Sequence, residues 1–165
     1  MNLTIRLERA GDEVAIRSVT QKAFAGQPYS NGSEPAIVDR LRADGNLALS
    51  LVAEEDGRII GHIAFSRVSI SDSAAEWYGL GPVSVLPEEQ GRQVGAQMIQ
   101  HGLRELASRR ARGVVLLGDP AYYRRFGFEH DPALTFPGLP PEYFQRLVLA
   151  DEPPAGVVRY AMAFS

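Results

Sequence analysis

The first polar and apolar positions alternate. Leu3, Ile5 and Leu7 are interleaved with Thr4, Arg6 and Glu8, the period of a half-buried strand. From Glu13 to Phe24 the spacing changes, and Val14, Ile16, Val19 and Ala23/Phe24 predict a helix with Asp12 as its N-cap. Residues 25–33 are a loop by composition. A second helix follows from a Ser33 cap to Asp44, with Ile37, Val38 and Leu41 inward and Gly45-Asn46 as its stop. Leu47–Glu54 and Arg58–Ile70 are two apolar runs around Asp56-Gly57, a strong hairpin signal. A polar link, Ser71–Glu76, then leads to a strand from Trp77 to Val85. Gly79, Gly81 and Pro82 within it predict a bulge or a close approach.

The best-defined element is a helix from Gln93 to Arg112. Val94, Met98, Gly102 and Leu106 lie beside Ile99, Leu103 and Ala107 in a broad apolar stripe, and Gly113 is a candidate C-terminal cap. Val114–Leu117 is a continuous apolar run, the mark of a central strand covered on both faces. A short helix, Ala121–Arg125, closes at Gly127. Gln145–Leu149 and Val157–Phe164 read as two last strands around a Glu152–Gly156 turn. With no repeat or interdomain linker, residues 1–165 are expected to form one mixed α/β domain.

Composition narrows the function classes. A net charge of −3 argues against nucleic-acid binding by overall electrostatics, and the 17 basic residues are sixteen Arg and the single Lys22. The absence of cysteine removes thiolate nucleophiles and Cys-based metal sites. No apolar run approaches the ~18 residues a membrane span needs, so no membrane partner is expected and the expected location is cytoplasmic. His62, His101 and His130 lack metal-ligand spacing. No metal is expected, and His62 reads as a packed strand residue.

The candidate chemistry lies in the turn Leu86–Ala96, which passes from a strand directly into a helix. Free backbone N–H groups converge at such a junction and the helix dipole favours negative charge, so it can cradle a pyrophosphate. A Walker-type loop is excluded because Lys22 is far from the turn. Gly79-Leu80-Gly81-Pro82-Val83-Ser84 only imitates a dinucleotide fingerprint, since it lies inside a strand.

The remaining pattern is Gln90, Gly95 and Ala96 at the junction, then the helix, the Val114–Leu117 strand and Tyr123-Arg124-Arg125-Phe126-Gly127-Phe128. It resembles the acetyl-CoA-binding core of the GNAT N-acetyltransferase superfamily. Gly81–Glu88, Leu117–Tyr123 and a closing Gly-x-Val-x-Tyr are similar to its subgroup of YhbS-like predicted acetyltransferases. The resemblance covers essentially the whole chain. It departs from the pattern at Gln93, where the family has its first glycine.

The resemblance implies an acyl-CoA N-acyltransferase fold. Its mixed, mostly antiparallel sheet is splayed between the fourth and fifth strands, with helices on both faces. It implies acetyl-CoA as cofactor and a primary amine of a small molecule or peptide as acceptor. Val83, Ser84 and Val85 would bind the pantetheine arm, with the N–H of Val83 or Val85 polarising the thioester. Gln90, Gly91, Arg92, Gln93, Val94, Gly95 and Ala96 would hold the pyrophosphate. Tyr123, five residues before Phe128, takes the place of the general-acid tyrosine and with Phe126 would contact the cofactor. Ser84 is the second catalytic candidate, acting through water. No base is readable: the family's fourth-strand position falls near Gly79, and Glu76, Ser84, Glu34 and Asp119 remain open. Phe24, Tyr29 and Glu34 would wall the acceptor pocket. A non-catalytic acyl-CoA-binding regulator is the alternative, and an exposed C-terminal edge strand could support a homodimer.

Overall fold

A computed structural model describes residues 2–165. Its strands are β1 (Leu3–Leu7), β2 (Leu47–Glu55), β3 (Arg58–Ile70), β4 (Ser73–Val85), β5 (Gly113–Leu117), β6 (Leu134–Thr135), β7 (Phe144–Val148) and β8 (Gly156–Arg159). The helices are α1 (Glu13–Phe24), α2 (Glu34–Ala43), α3 (Val94–Ser108) and the single turn α4 (Pro120–Tyr123). The sheet runs β1-β2-β3-β4-β5-β7, antiparallel throughout except for the parallel pair β4–β5. β8 joins the far end of β3 and pairs in parallel with β6.

The Asp56-Gly57 hairpin forms as expected, with positive φ at both residues (52° and 77°), which matches the twist of the flanking strands. The next hairpin turns at Ser71-Asp72, earlier than the sequence suggests. Residues 73–76, expected to belong to the Ser71–Glu76 link, extend β4 because β3 supplies backbone partners, with Ile70 opposite Ser73 and Val68 opposite Trp77. Hydrophobic patterning does not register residues held only by their main chain. β4 carries the expected bulge: Ile63 faces Val83 and Phe65 faces Leu80, so Gly81 and Pro82 are an insertion in the ladder.

Two different layers cover the sheet. On one face α1 and α2 bring Ile16 and Val38 onto Val52. On the other, α3 lays Met98, Ile99 and Leu103 into a core with Leu51, Ile63 and Phe65. Gly102 permits that approach, because a Cβ there would stand 2.4 Å from the Phe65 ring. The helix is shorter than the expected Gln93–Arg112. It starts at Val94 and is closed by Arg110 in the left-handed region (φ 67°), whose successor Ala111 donates to the Leu106 carbonyl. Gly113 is therefore not the cap; it lies against the Trp77 ring. The helix-start expectations also change. The Asp12 carboxylate binds Arg6 and the Arg9 N–H instead of capping α1, and the Ser33 hydroxyl donates to Asn31.

The tail differs most from expectation. Val157–Phe164 is not one strand: β8 stops at Arg159, and Met162–Phe164 form a 3₁₀ turn. Nor do the last two strands form a hairpin, since β7 pairs with β5 and β8 with β3 and β6. The cause is Tyr160, which turns inward to stack edge-on against Phe136 and to contact Phe164, with its ring lying where a Cβ of Gly79 would be.

A candidate active site where two strands part

β4 and β5 pair only at Trp77–Gly113, Tyr78–Val114 and Gly79–Val115. Beyond Gly79, β4 continues with β3 alone, and the strands diverge. The opening is a cleft of about 520 Å³ lined by Leu80, Gly81, Pro82 and Val83 on one side and Leu117, Gly118, Asp119 and Tyr123 on the other. Phe24 and Tyr29 close its outer end, their rings edge-to-face at 6.2 Å. The walls are mainly apolar, so a polar group inside would meet little competing water.

Below the cleft β4 runs into the turn. The Gln90 side chain donates to the Val85 carbonyl at 3.2 Å and ties the turn to the strand end. Gln93 precedes α3 in the left-handed region (φ 65°, ψ 17°), a conformation glycine adopts freely and other residues at a cost of ~1–2 kcal/mol. The first bond of the α3 ladder is Gln97 N–H to the Gln93 carbonyl at 3.0 Å. The amides of Val94, Gly95 and Ala96 precede that ladder, and no acidic residue occupies the first turn of α3. A Cβ at Gly91 would meet nothing within 4 Å, so the turn is open on that side. Arg92 is engaged elsewhere: its guanidinium bonds the Glu55 carboxylate at 2.6 Å and also Glu89. These two hydrogen bonds, Glu55's first, raise its pKa and hold it on the protein side of the turn.

Tyr123 is placed by its own segment. Asp119 caps α4 by accepting from the Ala121 N–H at 2.9 Å, and Pro120 supplies the first helical position. Its ring lies over Gly118, where a Cβ would stand 2.5 Å away, and against Tyr122, Phe126 and Phe128. Desolvation, with Tyr122 and Tyr29 adding to it, pushes the phenol up to about 12. It is protonated at neutral pH, and full transfer to a thiolate of ordinary pKa ~8.5 is uphill. What it offers directly is a hydrogen bond to a developing thiolate. Phe126 belongs to the aromatic group behind it rather than to the cleft lining.

The other candidates separate. Glu34 accepts from Ser30 at 2.6 Å and lies in an adjoining depression that shares Phe24, away from Tyr123. Glu76 is half-exposed near Arg67. Ser84 lies between Val83 and Val85 but is 1% exposed, and its hydroxyl has no partner among the described residues. It sits directly across from His62 in the β3–β4 ladder. Sequence reading missed what adjoins that pair: a polar cluster of buried Ser50 and His62 with the partly buried Glu8 and Arg42. The available signal was one polar residue on the same face of each strand, Ser50, His62 and Ser84, within otherwise apolar runs.

A strand that parts from its neighbour and feeds a turn–helix junction is the architecture of an acyl-transferring α/β enzyme. Residues 4–130 match the acetyltransferase (GNAT) domain, and the chain belongs to that family of N-acetyltransferases. A GNAT family acetyltransferase from Brucella melitensis, crystallised with acetyl-CoA, superposes with a TM-score of 0.89 at 50% identity, covering 99% of both chains. YhbS of Escherichia coli, crystallised with CoA, gives a TM-score of 0.91 at 34% identity over 99% of this chain and 92% of its own. In sequence, the uncharacterized N-acetyltransferase YhbS of E. coli K12 is 36% identical over 160 residues, covering 94% of this chain and 92% of YhbS. No helix among the described residues is long and apolar enough to cross a membrane.

Proposed function

We propose that the protein moves an acetyl group from acetyl-CoA to a primary amine of a small molecule or peptide, by direct attack of the amine on the thioester. The observation that carries this reading is the cleft itself: an apolar slot between parted strands, with a phenol on one wall and a helix N-terminus at its foot. The acetyl-CoA and CoA held by the Brucella and E. coli relatives support the same ligand here.

In this reading Val83 and Val85 hold the pantetheine arm through their backbone, and one of their N–H groups polarises the thioester carbonyl. The residues from Gln90 to Ala96 receive the pyrophosphate through main-chain amides, with the α3 dipole behind them. Gln93 suits this role despite its side chain, because its backbone already takes the left-handed conformation that glycine adopts freely. Arg92 shapes the turn through Glu55 and Glu89 and does not serve as a phosphate ligand. Tyr123 hydrogen-bonds the departing sulfur. Phe24 and Tyr29 flank the acceptor's entry, whereas Glu34 stands outside it.

The test is calorimetric titration with acetyl-CoA, then CoA-thiol release across a panel of primary amines. Binding with release, lowered 10-fold or more by Tyr123→Phe, is the expected result. Binding without release on any amine would give the non-catalytic acyl-CoA module instead, and no binding would end the assignment.

A further inference from the structure

The polar cluster on the α1–α2 side of the sheet begins beside the proposed thioester strand and ends near the surface. Arg42 of α2 donates to both oxygens of Glu8, at 2.9 Å and 2.8 Å. The Ser50 hydroxyl is 2.7 Å from the same carboxylate, and the His62 Nε2 is 2.8 Å from Ser50 Oγ. Ser84 is the direct cross-strand partner of His62, so both side chains project from one face of the sheet. Arg42 also reaches Asp39 at 3.4 Å, which carries the chain of contacts outward.

Hydrogen counting orients this chain. Glu8 is held ionised by its hydrogen bonds from Arg42 and Ser50, which outweigh desolvation, and can only accept. Ser50 has one hydrogen and gives it to Glu8, so its oxygen accepts from His62 Nε2–H. Burial keeps His62 neutral near pH 7, with its pKa down to about 4, which leaves Nδ1 as a bare lone pair. His62 Nδ1 and Ser84 Oγ are both buried, and neither has a partner among the described residues. One is an acceptor and the other carries a hydrogen to donate, on paired residues of adjacent strands. Five buried side-chain atoms of the described residues lack a partner, and these two, though not hydrogen-bonded to each other, complement one another on paired residues and point to a shared use.

We propose that Ser84, His62, Ser50 and Glu8 form a proton relay that carries the acceptor amine's proton from the thioester strand to the Arg42 surface. This rests on the acetyltransferase reading above and supplies a base other than Asp119, the carboxylate in the cleft lining, which is engaged in capping α4. As the amine nitrogen bonds the thioester carbon and the C–S bond breaks, the sulfur leaves with the electron pair. The amine's proton passes, through one water, to Ser84 Oγ, whose own hydrogen moves to His62 Nδ1. The Nε2 hydrogen moves to Ser50, and the Ser50 hydrogen to Glu8, which Arg42 then favours to release it to solvent. Each group gains one hydrogen as it loses another, so the imidazole changes tautomer and carries no net charge. Ser84 is the end on the thioester strand, reached from the cleft only through the water; His62, Ser50 and Glu8 are positioning residues. The charged groups around His62 are Glu8 and Arg42, with Asp39 and Glu13 beyond Arg42.

The test is ¹⁵N NMR of the protein with labelled histidine, read together with turnover. In the wild type, His62 is expected to carry hydrogen on Nε2 only. Ser84→Ala should move the Nδ1 resonance and leave Nε2 protonated, and Ser50→Ala or Glu8→Gln should redistribute the two tautomers. With a panel amine, Ser84→Ala and His62→Gln should lower kcat 10-fold or more, leave the KM for acetyl-CoA within 2-fold, and shift the pH profile. Acetyl-CoA binding in every variant separates failure of the relay from failure of the enzyme assignment. An Nδ1–H tautomer in the wild type, an Nδ1 signal indifferent to Ser84→Ala, or unchanged kcat in that variant with acetyl-CoA still bound would each overturn the relay.

Discussion

Both faces of this sheet are covered by helices, and they use the burial differently. Against α3, Leu51, Ile63 and Phe65 meet Met98, Ile99 and Leu103 with no buried polar side chain between them. Against α1 and α2 the same strands present Ser50, His62 and Ser84, tied to Glu8 and Arg42. The first face gains from every apolar contact and holds no carboxylate or imidazole among those residues. The second desolvates a carboxylate, an imidazole and hydroxyls, and leaves His62 Nδ1 and Ser84 Oγ among its unpartnered polar atoms. A sheet can thus assign stability to one side and chemistry to the other, because side chains alternate between faces at every residue.

The contrast breaks most sharply on the dry face. Phe65→Ala removes the ring that fills the Gly102 approach and is expected to cost ~3–5 kcal/mol in denaturant unfolding, with little pH dependence. The wet face should show itself next, through acid. His62 takes up a proton near 6.5 when unfolded and only near 4 when folded, so the unfolded state binds more protons across that window. Stability from this group is fully present above pH 6.5, is lost as pH falls toward 4, and levels off below. At ~1.4 kcal/mol per pH unit that difference amounts to about 3 kcal/mol. Glu8, held low by Arg42 and Ser50, adds to the loss at the acid end. His62→Gln should flatten the slope between pH 6.5 and 4; an equally steep slope would show that another group titrates there.

Ser84→Ala sharpens the comparison further. It deletes a buried hydroxyl without a partner, so unfolding free energy should change by less than ~1 kcal/mol or rise, while turnover falls as described above. The smallest effect is expected outside both faces. Gln93→Gly relieves a left-handed residue but frees the unfolded chain, so a net gain of under ~1 kcal/mol is anticipated, with acetyl-CoA affinity kept. A large loss of affinity would mean that the Gln93 amide binds the phosphates itself.

Much of the fold was legible because its elements announce themselves by period. α1 spans the residues expected from Val14, Ile16 and Val19, and β3 runs from Arg58 to Ile70 as its apolar run does. The bulge at Gly81-Pro82 was readable for the same local reason. The tail was not: nothing in Val157-Val158-Arg159 indicates that it would join β3, a strand some ninety residues earlier, instead of β7. The candidate site divides in the same way. Tyr123 and the turn lie on contiguous segments with a recognisable order. Glu8, Arg42, Ser50 and His62 come from three strands' worth of chain and a helix, and each reads alone as a solvated or packed residue. Arg92 reads in the sequence as a phosphate ligand, and only the fold brings Glu55 against its guanidinium beside Glu89. Only tertiary pairing distinguishes such cases.

Tyr123 is held over Gly118 by shape: its ring occupies the volume a methyl group there would need, and no hydrogen bond among the described residues claims its hydroxyl. The phenol is therefore aimed by an omission. A single carbon atom added at position 118 would act as a doorstop, swinging the ring off its bearing while leaving its chemistry intact.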